Sequence, residues 1–186
     1  EEKALNSMVD KTYIPEGEVP PASQIGSTLE ALGATIAARR EADEASYTHR
    51  LLTGSVDGVL KKVMEEAGEV ALAAKDVEGW ATSSLAAAVA LDAAANGTGA
   101  GTGPVDAAGA LADSDALSVQ LPPEYGEAVD HLRYEAADVV YHLLVVLERY
   151  GISLDEFAAE LNNRMADEER PAGAVRLHGE YVRRGK

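Results

Sequence analysis

Two pairs of acids, each three residues apart, are the side chains of this 186-residue chain best placed to do chemistry together. The first pair is Glu66 and Glu69, inside Lys61-Lys62-Val63-Met64-Glu65-Glu66-Ala67-Gly68-Glu69. The second is Glu135 and Asp138, and His131 and His142 extend its stripe at spacings of four, three and four. On a helix such spacings put side chains on one face, a turn from each other. From Val139 to Leu147 the second stretch is almost wholly apolar, which predicts a helix buried on most sides and acids buried with it. Carboxylates that converge inside a bundle repel one another and must be protonated or neutralised by a cation. An all-oxygen donor set of this kind suits Mg²⁺ or Mn²⁺.

The plainer reading of the same acids is a solvated helix face paired with Lys61, Lys62 and Arg133. It is preferred for Glu65, one residue off the Glu66/Glu69 line, and is opposed for Glu135 and Asp138 by their apolar surroundings. A di-iron bundle would need Glu-x-x-His on two helices, but Leu72 follows Glu69 and Asp138 follows Glu135 at that spacing. The His-Glu-x-x-His pattern of zinc hydrolases is absent, as is a phosphate-cradling Gly-rich loop between a strand and a helix. Lysines on helices are usually solvated. Beside a metal cluster, however, Lys61, Lys62, Lys75 and Arg39 are reasonable contacts for an anionic, phosphate-bearing substrate.

Four segments carry helical signals that would position these groups. Ser27-Thr28-Leu29-Glu30 reads as a capping box opening a stripe of Leu29, Leu32 and Ile36. A second helix is predicted from about Asp57 to Asp76, with Val59, Leu60, Val63, Ala67, Val70, Ala71 and Ala74 inward. A third runs from about Glu127 to Tyr150, with Leu132, Ala136, Val139, Val140, Leu143, Val146 and Leu147 inward, and Gly151 ends it. Ser153-Leu154-Asp155-Glu156 is a second capping box, starting a helix that Pro171 must end. No alternating strand of useful length appears. Apolar residues make up 46% and aromatic ones only 5%, a balance that favours packed helices over a β-sandwich. The class is all-α.

Thirty-two acids against 16 bases give a net charge of −16, the wrong balance for a nucleic-acid binder. No run approaches the roughly 20 apolar residues of a membrane span, and no signal peptide is visible. The absence of cysteine excludes disulfides, thiolate metal sites and a cysteine nucleophile. Between Lys75 and Arg133 there is no Lys or Arg but there are nine acids, and the middle of that stretch reads NGTGAGTGP from Asn96 to Pro104. Residues 79–125 are therefore read as an acidic, Ala/Gly-rich insertion, partly disordered, with a helix possible over Trp80–Ala95. Residues 1–23 are read as an extended leader, 24–170 as the domain and 171–186 as a basic tail. A soluble, cytoplasmic protein is expected.

With these residues in view the chain resembles the phosphoribosyl-ATP pyrophosphohydrolase family. The resemblance is carried by Ser46-Tyr47-Thr48, Leu51-Leu52, Lys61-Lys62-Val63, Glu65-Glu66-Ala67, Glu69-Val70 and Leu72-Ala73-Ala74-Lys75-Asp76. It continues in Glu135-Ala136-Ala137-Asp138-Val139-Val140-Tyr141-His142-Leu143-Leu144-Val145. The family is one of the all-α, MazG-like NTP pyrophosphohydrolases, marked by Glu-x-x-Glu on one helix and Glu-x-x-Asp on another. The resemblance implies a helical bundle of that type, a homodimer and Mg²⁺-dependent hydrolysis of phosphoribosyl-ATP to phosphoribosyl-AMP and pyrophosphate, the second step of histidine biosynthesis. It also implies Glu66, Glu69, Glu135 and Asp138 as metal ligands, and Glu65 or Glu66 as the group that orients or deprotonates the attacking water. Ser46, Tyr47 and Thr48 are implied as substrate contacts beside the lysines; His142 is open between that role and a buried structural one. The chain departs from the family in its long spacer between the acidic helices, in Gly68 within the metal helix and in its tail, and the acidic spacer is expected to lie away from the substrate entrance. The other readings are a house-cleaning dNTP pyrophosphohydrolase of the same superfamily, a non-catalytic metal- or partner-binding bundle, and one half of a bifunctional protein that also carries phosphoribosyl-AMP cyclohydrolase.

Overall fold

Ser23 opens the first helix by accepting the backbone N–H of Gly26, so α1 covers Gln24–Ala38 and places Leu29, Leu32 and Ile36 on the core. Its cap therefore stands four residues before Ser27 of the expected Ser27–Glu30 box, whose Ser27 and Thr28 lie within the first turns. A single 3-10 turn, Arg39–Glu41, follows. The structure, a computed structural model, describes residues 11–96 and 121–183. The glycine-rich run after Asn96, the patternless stretch up to Gln120, the first ten residues of the leader and the last three of the tail lie outside the described residues.

A short helix not foreseen from the sequence, α2 (Tyr47–Thr53), is capped by Ser46, whose hydroxyl accepts the His49 N–H. It buries Leu51 and Leu52. Its exit is tight: a Cβ on Gly54 would meet the Arg50 carbonyl oxygen at 2.6 Å, so a side chain there requires the backbone to move. The orphan carbonyls of Leu51, Leu52 and Gly54 accept hydrogen bonds from the Arg149 guanidinium at 2.7, 3.0 and 2.7 Å.

The long helix α3 covers Val56–Asn96, well past the expected end at Asp76. Nothing in Val77–Ala95 breaks a helix except Gly79, and Ala73, Ala81 and Leu85 continue the buried stripe at spacings of eight and four. The helical half of the supposed insertion is thus part of the packed structure: Ala81 and Leu85 form a second small core with Val89 and Tyr125. Helix α4 (Pro123–Arg149) begins four residues before Glu127, because proline at the first helical position gives up no needed N–H. Gly151, at φ +69°, ends it as expected. The Ser153–Glu156 capping box is present in full and opens α5 (Leu154–Arg164). This helix stops before Pro171, at extended Met165, and the Arg170 guanidinium then binds the carbonyls of Asn162 and Met165.

The described residues contain helices and turns but no strand, so the fold is an all-α bundle. Its main core joins Ile36, Leu51, Leu52, Val59, Leu144, Val145 and Leu147, with Leu154 and Phe157 from α5 closing it. Val59 packs near Val145 at one end of the α3/α4 pair and Leu85 near Tyr125 at the other, so the two helices run antiparallel. The inward faces are rotated from those read off the apolar pattern. Leu60, Ala67, Ala71 and Ala74 of α3 are exposed, as are Ala136 and Val140 of α4. The reason is that acids occupy inward positions, so counting only apolar residues misplaces the buried face. No helix of the described residues is long and apolar enough to cross a membrane.

Candidate metal centre

Antiparallel packing brings the first third of α3 opposite the middle of α4, between the two cores. There one carboxylate oxygen from each of Glu66, Glu135 and Asp138 lies within 4.8 Å of the others. Glu66 and Glu135 are only 5% and 7% exposed, and Asp138 is half-buried. The apolar surroundings of α4 had predicted burial for Glu135 and Asp138; that of Glu66 was not foreseen. Glu69 is exposed, one turn along α3, and hydrogen-bonds Glu66. That bond raises the Glu69 carboxyl above its ordinary value, with burial and the charges of Glu66 and Glu135 adding to the effect. The donor set is all oxygen and partly buried, and it fits a hard divalent cation such as Mg²⁺ or Mn²⁺.

Lysines rim the cluster on the α3 side. The Lys62 ammonium lies 3.2 Å from a Glu65 oxygen and 3.0 Å from Glu66 Oε1, and Lys61 lies 3.1 Å from Glu65. These contacts raise Lys62, through its hydrogen bonds to Glu66 and then Glu65. They hold Glu66 below the usual carboxylate range, mainly through Lys62, and Glu65 below it through Lys61 and then Lys62. Lys75 is not brought here. Nine residues beyond Glu66, it stands about 13 Å along α3 and on the opposite side of the helix. Arg39 is exposed in the 3-10 turn, where its carbonyl receives the His49 ring.

His142 is buried and joins three elements. Its Nδ1 lies 2.9 Å from the Asp138 carbonyl, an acceptor only, so Nδ1 carries the proton. Nε2 of the neutral ring then accepts the Tyr47 hydroxyl at 3.0 Å. Glu66 Oε1 is 3.8 Å from Nδ1, and the rings of Tyr47 and Tyr141 meet the imidazole edge-on. Burial raises the Tyr47 phenol above its ordinary value, which keeps it a donor at neutral pH. Thr48 Oγ1 is paired with the Tyr141 hydroxyl at 2.6 Å. Tyr47 and Thr48 thus reach the site from α2, while the Ser46 hydroxyl serves as the helix cap. Sequence reading missed Tyr141, because its partner comes from a helix that had not been foreseen. It noticed His131 only as part of the stripe; the ring lies 2.8 Å from Glu135 Oε1, a contact that the spacing of four could have announced.

Known proteins resemble this chain over most of its length. The family model for phosphoribosyl-ATP pyrophosphohydrolase matches residues 29–165. A phosphoribosyl-ATP pyrophosphatase of Erythrobacter litoralis is 32% identical over 139 residues, covering 74% of this chain and 86% of that protein. One from Dechloromonas aromatica is 28% identical over 137 residues, with 73% and 81% covered. The histidine biosynthesis bifunctional protein HisIE of Deinococcus radiodurans is 49% identical over a shorter stretch of 59 residues, which covers 31% of this chain and 27% of that protein. No solved structure matches. The match runs from within α1 to the end of α5 and takes in every acid of the cluster, and on that ground the chain belongs to the phosphoribosyl-ATP pyrophosphohydrolase family.

Proposed function

We propose that this protein hydrolyses phosphoribosyl-ATP to phosphoribosyl-AMP and pyrophosphate, the second step of histidine biosynthesis. The observation that carries the reading is the convergence of Glu66, Glu135 and Asp138 from two antiparallel helices, in a chain of this family. Glu66, Glu69, Glu135 and Asp138 would hold Mg²⁺, with Mn²⁺ as a substitute. The bound ion supplies charge neutralisation at the phosphate oxygens and at the α–β bridge. An acidic protein would otherwise repel a triphosphate chain.

The residues of this chain do the rest. Lys62, in contact with Glu66 of the cluster, and Lys61, in contact with the neighbouring Glu65, donate to phosphate oxygens, leaving Glu65 to accept a proton from the attacking water. Held below the ordinary carboxylate range by its lysines, Glu65 is ionised at neutral pH; its basicity returns as the lysines turn to phosphate. Tyr47 and Thr48 approach the cluster from α2, and His142 ties Tyr47 to the Asp138 backbone beside Glu66. A homodimer belongs to the same reading. Leu60, Met64, Ala67 and Ala71 line an exposed apolar edge of α3, the kind of surface that a second copy covers.

The test is pyrophosphate release from phosphoribosyl-ATP beside a panel of dNTPs, with and without Mg²⁺. Selective, Mg²⁺-dependent turnover of phosphoribosyl-ATP is expected. A preference for a dNTP would move the function to house-cleaning while leaving the site in place.

A further inference from the structure

We infer that His131, a residue outside the acidic motifs, is a positioning residue for Glu135 and sets how tightly the centre holds its cation. This rests on the metal reading above. Glu135 sits in α4 with its carboxylate almost fully withdrawn from water, whereas His131, four residues earlier, is 55% exposed on its side chain. The two meet at 2.8 Å between Nε2 and Oε1. A surface histidine–glutamate pair is ordinarily worth little, because water serves both partners. Here one partner is desolvated, so the hydrogen bond replaces water that Glu135 has lost.

The consequence is directional. With Oε1 held by the imidazole N–H, the carboxylate cannot spin freely about its last bond, and its second oxygen is left to a cation. Outer partners that orient a ligand in this way commonly contribute about 10- to 100-fold in metal affinity. Lys62 plays the opposite part at Glu66: its ammonium contacts Oε1 directly, and as a cation it competes with a metal for that carboxylate. His131 therefore gives α4 an imidazole N–H donor on Glu135 where α3 places the Lys62 ammonium on Glu66.

The experiment measures Mn²⁺ binding by full-length protein, by calorimetry and by the Mn²⁺ spin-resonance signal, for the wild type, His131→Leu, His131→Gln and Glu135→Gln. Because His131 is exposed, the leucine and glutamine variants should keep the fold, checked by circular dichroism. The expected result is a Kd about tenfold weaker in His131→Leu and largely restored in His131→Gln, whose amide also donates. Equal or tighter binding in His131→Leu would overturn the inference. So would a directly bonded nitrogen in the wild-type pulsed spectrum that disappears in His131→Leu, since His131 would then be a ligand. A wild type that binds no Mn²⁺ would remove the metal reading and this inference with it. Binding that is lost in Glu135→Gln but indifferent to His131 would overturn the inference alone.

Discussion

Tyr47 and His142 stand 95 residues apart in the chain and meet at 3.0 Å, the phenol donating to an imidazole whose other nitrogen is spent on the Asp138 carbonyl. The contact joins α2 to the acidic centre of the α3/α4 pair, and the Asp138 carbonyl selects the tautomer with the proton on Nδ1. Tyr47→Phe removes the donor and leaves the ring. It should lower kcat/KM by about 5-fold and cost about 1 kcal/mol of stability, the worth of one partly buried hydrogen bond. Steady-state kinetics beside urea denaturation will separate the two effects; an unchanged kcat/KM would confine Tyr47 to a structural role.

The three clustered carboxylates should destabilise the metal-free protein. Asp138→Asn removes one charge without changing shape, so in EDTA the variant should melt at or above the wild-type temperature. Its turnover should fall by about 100-fold or more, beyond the cost of losing an outer-shell partner. Mg²⁺ at about 100 times its Kd should stabilise the wild type by about 2.7 kcal/mol and leave the variant unmoved. Thermal melts in EDTA and in Mg²⁺ provide the check.

Opposed shifts in the first acidic pair give the metal-free protein a readable pH dependence. Glu69 is raised above 4.5 by its hydrogen bond to Glu66, so the stability it contributes is full below 4.5 and is lost as pH rises through its folded value. Glu66 is lowered from 4.5 by Lys62, so its contribution is present above 4.5 and is lost as pH falls. Urea midpoints in EDTA between about pH 3 and 8 should therefore decline on both sides of the pair's titration. Glu69→Gln should flatten the upper limb and leave the lower one; a variant whose upper limb matches the wild type would contradict the assignment.

Arg149 holds three carbonyls at the exit of α2. Arg149→Leu leaves them without that donor and should cost about 2 kcal/mol in urea denaturation. Arg149→Lys should recover little, because one ammonium cannot reproduce the planar fork. Since α2 carries Tyr47 and Thr48, KM should rise in both variants.

The far half of α3 is scaffold by its packing. Leu85→Ala opens a gap against Tyr125 and should lower stability by about 2 to 3 kcal/mol while leaving KM unchanged. A sharp rise in KM would instead tie residues 79–125 to the substrate entrance.

What the chain alone determined was local. Three-residue spacings on helices placed Glu66 beside Glu69 and Glu135 beside Asp138; the apolar run after Asp138 announced the burial of Glu135 and Asp138; Ser153 with Glu156, and Gly151, marked helix ends, because caps depend only on neighbours in the chain. Tertiary structure decided what depends on a partner. Which face of α3 and α4 turns inward could not be counted from apolar residues, since Glu66 and Glu135 sit on that face and Ala67, Ala71 and Ala136 do not. The continuation of α3 to Asn96 and the helix at Tyr47–Thr53 were equally hidden. A short or alanine-rich helix has little pattern of its own and gains its stability from what it packs against, here Tyr125 and the Leu144–Leu147 core.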